Sequence, residues 1–181
     1  MICGAVIGHK EISMLGLTSL GFIHTLLGLV ALVAGALCFF ADGAIASRSR
    51  AGRVFIWTTA LTCLTGFGIF QRGGFNIAHV LGILTLVVLS VAIWAERSAL
   101  LGRLSAYVAT VGFSLTYFFH WIPGTTETFT RFPRGAPLFS SPEDPALQQT
   151  VGAMFLLFVI GAAVQVWRLR ARRSVPTGQA A

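Results

Sequence analysis

The sequence predicts an all-α integral membrane bundle of five transmembrane helices, with the N-terminus outside and the C-terminus cytoplasmic. Three observations predict it. The 181 residues are 55% hydrophobic and only 10% charged, with mean hydropathy +0.80. So few charges do not cover the surface of a soluble domain of this size. Apolar runs of about 20 residues recur, the length that crosses a hydrocarbon core of about 30 Å. The 13 basic residues concentrate in alternate connections, which is how a polytopic chain is oriented. No stretch is left over for a separate soluble domain, so 1–173 read as one transmembrane unit and 174–181 as a flexible tail.

The first helix is expected at about 17–40, ending at Asp42-Gly43, and the second at about 54–70. The third is expected at about 76–95. The fourth, about 104–122, is expected to stop at Pro123-Gly124, a pair that breaks helices. The fifth is expected at about 151–167. An earlier start for it is open at Ser141-Pro142-Glu143-Asp144, which offers a capping serine, proline at the first helical position and acids in the first turn. The first apolar run has no basic segment before it, so no cleavable signal is expected. Cys3, Cys38 and Cys63 have neither metal-knuckle nor redox-pair spacing and read as free thiols.

Arginine asymmetry sets the orientation. Arg48, Arg50, Arg53, Arg97, Arg103, Arg168, Arg170, Arg172 and Arg173 fall on one side, against Lys10, Arg72, Arg131 and Arg134 on the other, nine against four. The positive-inside rule puts the nine in the cytoplasm of an inner-membrane protein. A net charge of +7 in a soluble protein would suggest nucleic acid. At helix ends it instead makes the lipid bilayer and its anionic headgroups the partners, and nucleic acid is not expected. The one long connection, 123–150, is then external and holds five of the six prolines. It reads as a lid over the outer helix ends, with Thr125, Thr126, Glu127 and Arg131 nearest.

His24, His79 and His120 are the residues that bear on function. Each lies in an apolar run, about 5 Å below the same face when counted from the opposite helix end at 1.5 Å per residue. An ionisable ring at that depth usually faces the bundle or a water-filled cavity. Gly21, His24, Gly28, Ala31 and Gly35 form a small-residue stripe, as do Ala109, Gly112, Thr116 and His120. Asn76, His79 and Gly82 share a face of the third helix, and Thr58, Thr62 and Thr65 offer hydroxyls on the second. The three rings are therefore expected to converge near the outer leaflet. Four roles remain open for them: helix packing, a transition-metal ion held by His24, His79 and His120, axial ligation of haem b, and proton or quinone handling. With no phosphate loop, nucleophile triad or carboxylate pair, no catalytic residue is assigned. The chain reads as a non-enzymatic or accessory module, with a membrane protein partner.

Further residues carry a resemblance. His24 with its Gly/Ala-rich helix, then Arg50-Ala51-Gly52-Arg53-Val54-Phe55, then His120-Trp121-Ile122-Pro123-Gly124-Thr125-Thr126-Glu127-Thr128 and Arg131-Phe132-Pro133, are together similar in pattern to the bacterial multi-pass membrane proteins with the domain of unknown function 2306. The resemblance spans about residues 20–150. This chain has Arg50 where members often have histidine. The resemblance implies a bacterial inner membrane and no established reaction.

Overall fold

The computed structural model describes residues 18–70, 74–98 and 100–174. Lys10, Arg72, Cys3 and the tail beyond Ser174 lie outside the described residues. Among those described there is no strand. Five α-helices follow one another: α1 (Ser19–Asp42), α2 (Arg50–Gly66), α3 (Ile77–Arg97), α4 (Ser105–Phe129) and α5 (Pro145–Ser174), with a short 3-10 turn at Gly102–Leu104. Three of them, α1, α3 and α5, are long and apolar enough to cross a membrane.

Local chemistry explains the ends. Thr18 caps α1 by accepting from Gly21 N–H at 3.1 Å. Gly43 ends α1 in the left-handed region (φ 74°), with its N–H on Phe39 O, the common glycine stop. Helix α2 starts about a turn earlier than expected, because Ser49 caps it through Gly52 N–H at 2.9 Å, and it stops at Gly66 rather than residue 70. That start needs Gly52: a Cβ there would sit 1.9 Å from the Ala46 carbonyl oxygen.

The expectation that the fourth helix stops at Pro123 is overturned. Helix α4 runs through Pro123 to Phe129. Proline removes one ladder bond, and a helix held by packing against its neighbours tolerates such a gap. The bond lost is the one to Phe119 O; beyond it the helix continues, with the hydroxyl of Thr126 adding a bond to Ile122 O at 2.8 Å and that of Thr130 adding one to Thr126 O at 2.7 Å. Helix α5 likewise begins at Pro145, six residues before the expected 151. The sequence repeats a cap–proline pair, Ser141-Pro142 and Asp144-Pro145, and the second is used: Asp144 Oδ1 accepts from Ala146 N–H at 2.9 Å. The connection expected over 123–150 thus shrinks to 130–144.

Helix α4 is the hub. It packs on α3 and α5 and touches α1, while α1 lies along α2. The core is built from Ala31, Ala34, Phe55, Leu89, Ala92, Ala109 and Phe113. Small residues let the backbones approach: a Cβ on Gly35 would fall 2.4 Å from Tyr117, and one on Gly112 would fall 2.9 Å from Ala92. Large apolar side chains point outward instead, among them Val33, Leu61, Val87, Leu157 and Ile160. Burying those in water-free surroundings is what a bilayer supplies.

Candidate functional site

Helix α2 presents Gly52, Phe55, Thr59, Thr62 and Cys63 to the interior, spaced at helical three- and four-residue intervals. Two of the three histidines meet this face. His24, from the small-residue stripe of α1, places Nδ1 2.9 Å from Thr62 O and 3.2 Å from Thr65 Oγ1. The hydroxyl of Thr65 already donates to Leu61 O at 2.8 Å, so both partners accept and His24 Nδ1 carries the proton. Gly66 leaves room for the ring, since a Cβ there would lie 3.1 Å from His24 Cε1. His120, buried on α4, places Nε2 2.9 Å from Thr59 Oγ1, with the Phe55 ring at 6.1 Å. Thr59 and Thr62 are three residues apart, about 4.5 Å along the axis, so the two imidazoles dock on neighbouring turns of one helix.

His79 makes a different set of bonds. It is the third residue of α3 and forms a reciprocal cap with Asn76, whose N–H reaches His79 Nδ1 at 3.3 Å. In the other tautomer Nδ1–H donates to Asn76 Oδ1 at 3.2 Å. Either way Nε2 is buried with no partner among the described residues. Phe67, Phe70 and Phe75 lie nearly parallel to the ring, at 6.4, 5.3 and 5.2 Å. Among the described residues no group of three or more His, Cys, Asp or Glu could hold a metal ion.

The threonines act differently from expectation. Thr58, Thr62 and Thr65 donate their hydroxyls to carbonyls of α2 itself. What they offer a neighbour is an acceptor, because a hydroxyl in a dry helix bonds its own preceding turn. Thr59, which reaches His120, was not singled out by the sequence reading. The signal was there: continuing from Gly52 and Phe55 at helical spacing gives Thr59, not Thr58.

The lid residues are also re-placed. Thr125, Thr126 and Glu127 belong to α4. Thr125 is buried against α5, with its hydroxyl 3.5 Å from Met154 Sδ. Glu127 pairs with Arg131 one turn on. The 130–144 segment folds back on the end of α4, through Phe139 N–H to Phe129 O at 3.1 Å and the edge-on Phe129 and Phe139 rings.

At the other end, Glu96 of α3 accepts the Ser47 N–H with both carboxylate oxygens at 3.1 Å. Gln165, buried on α5, donates to Gly43 O at 2.9 Å and accepts from Ser114 Oγ at 2.8 Å. The α1–α2 connection is thereby tied to α3, α4 and α5. Comparison with family models, with curated proteins and with solved structures finds no match to this chain.

Proposed function

We propose that the chain is a non-enzymatic, multi-pass inner-membrane module in which the histidines lock helices together, and that it serves as an accessory subunit to a membrane protein partner. One observation carries this reading: His24 and His120 each spend a ring nitrogen on α2, at Thr62 and Thr59. An imidazole bonded to a neighbouring helix in a low-dielectric interior cross-links the bundle. In this reading all five helices span, N-terminus outside and C-terminus cytoplasmic. Helix α2, with 17 residues, is about 26 Å long and crosses a slightly thinned core. Helices α4 and α5, with 25 and 30 residues, project beyond the outer face and carry the 130–144 connection there. The resemblance to the family with the domain of unknown function 2306 accords with a bacterial inner membrane. The haem b and metal-ion readings need two or three ring nitrogens aimed at one centre.

The test is purification of the full chain in mild detergent, with a visible spectrum and elemental analysis. The expected sample is colourless, free of stoichiometric metal and accompanied by a defined partner. A Soret band, or one equivalent of zinc or copper lost in His24→Ala and His120→Ala, overturns the packing reading. Turnover by an isolated monomer overturns the accessory one.

A further inference from the structure

A cleft of about 50 Å³ opens at the arginine-rich end of the bundle, between the α1–α2 connection, α4 and the last turns of α5. Asp42, Gly43, Thr110, Gln165, Arg168 and Arg172 line it. Its back wall is preorganised: Gln165 spends its amide on Gly43 O and Ser114 Oγ. Gly43 has φ 74°, and a Cβ on it would lie 3.2 Å from Arg168 Nη1. The bare α-carbon thus lets this guanidinium lie against the connection.

Arg168 and Arg172 are one turn apart on α5 and share a face. Among the described residues no carboxylate stands within ion-pair distance of either. Asp42 lines the same cleft and offsets one of the two charges, so a net positive charge remains. That matches a singly charged phosphodiester better than a doubly charged monoester. The volume suits a phosphate group rather than a whole organic ligand. It exceeds the roughly 10–15 Å³ that admits one water and is far below the roughly 300–1,000 Å³ of organic-ligand pockets. Guanidinium groups bind phosphate oxygens in a fork. The position names the source. Trp167, the neighbour of Arg168, is 68% exposed, as an interfacial anchor is, and basic pockets between helices at this level hold anionic headgroups.

We propose that this cleft binds the phosphodiester of an anionic phospholipid such as phosphatidylglycerol. The inference rests on the bundle being membrane-spanning, but on neither its orientation nor the role of the histidines. The full chain is tested by native mass spectrometry from micelles holding equal phosphatidylglycerol and phosphatidylcholine. Wild type is expected to retain phosphatidylglycerol preferentially. R168Q/R172Q is expected to lower that retention about tenfold, given the strength of a juxtamembrane arginine's attraction. R168K/R172K is expected to restore part of it. R50Q/R53Q removes the same charge from the same end, away from the cleft, and is expected to change retention less than about twofold. Both substituted pairs are exposed, and circular dichroism checks that each variant is folded. Equal loss in the two Gln pairs means diffuse surface attraction and overturns the site. No preference in wild type overturns it too. Displacement of the lipid by equimolar inorganic phosphate overturns the lipid assignment in favour of free phosphate. Because no readout involves haem, metal or turnover, failure here leaves the histidine reading untouched.

Discussion

Thr59 differs from Thr58 in spending its hydroxyl on another helix, at His120 Nε2. Removing it should therefore cost more than removing Thr58, whose hydroxyl bonds Val54 O at 2.7 Å within its own helix. Thr59→Val should destabilise the bundle by about 1 kcal/mol, within the range of interhelical hydrogen bonds in membranes, and Thr59→Ser should not. Thermal unfolding in detergent reads this, and the Thr59→Val/His120→Phe double-mutant cycle should show the two sites coupled. Additive losses would mean the 2.9 Å contact contributes nothing. His79 presents the opposite case, a buried ring nitrogen without a described partner. Glutamine serves the same capping position and does not leave an imidazole nitrogen facing phenyl rings. His79→Gln should match or exceed wild-type thermal stability. A fall of several degrees would show that Nε2 has a partner that matters. The sequence placed His24 and His120 on inward stripes, and both do face neighbours. It grouped all three histidines by depth and by helix face, and neither says which nitrogen each neighbouring helix claims.

At the scale of elements, the helix ends were read from side-chain chemistry, and that chemistry was ambiguous where it repeated. Ser141-Pro142 and Asp144-Pro145 are similar cap signals, and the helix uses the second. Asp144 then becomes a pH-sensitive element. The N–H of Ser140, the N–H of Ala146 and the Ser140 hydroxyl all donate to it and hold its carboxyl below the usual aspartate range. A lowered folded value means the cap's contribution is complete above the unfolded pKa of about 3.9 and is lost as pH falls through the folded value. Hydrogen exchange at Ala146–Gln148 should therefore accelerate, relative to the middle of α5, only below about pH 4. Asp144→Ala should show that faster exchange already at neutral pH, and Asp144→Asn, which keeps the cap, should not. Equal protection in Asp144→Ala would refute the cap. The course of α4 was hidden in a similar way: Pro123-Gly124 reads as a stop, yet the helix runs through both to Phe129.

For the whole molecule, the proposed topology is open to direct measurement. Reporter fusions after Arg173 should read as cytoplasmic, and fusions within 133–142 as external, if nine arginines against four basic residues set the orientation. A tail fusion with external-type activity would reverse it. Both fusions on one side would mean that α5 lies on the membrane instead of crossing it. The outward-facing side chains of α5, from Phe155 to Trp167, are placed for lipid in the crossing arrangement.

The residues alone determined that the described chain is helical, that three of its helices are apolar enough for a bilayer, and that glycine and alanine stripes line the contacts. Those properties follow from hydropathy, helical period and side-chain size, all of which are local. Tertiary structure decided which nitrogen of His24 and His120 meets which atom of α2, that Gln165 ties α5 to the α1–α2 connection, and that Arg168 and Arg172 share a cleft. Those depend on how helices rotate about and slide along one another. Rotation and register are fixed by close packing of side chains distant in sequence, such as Gly35 beneath Tyr117 and Gly112 against Ala92, and no periodicity within one helix encodes its partner.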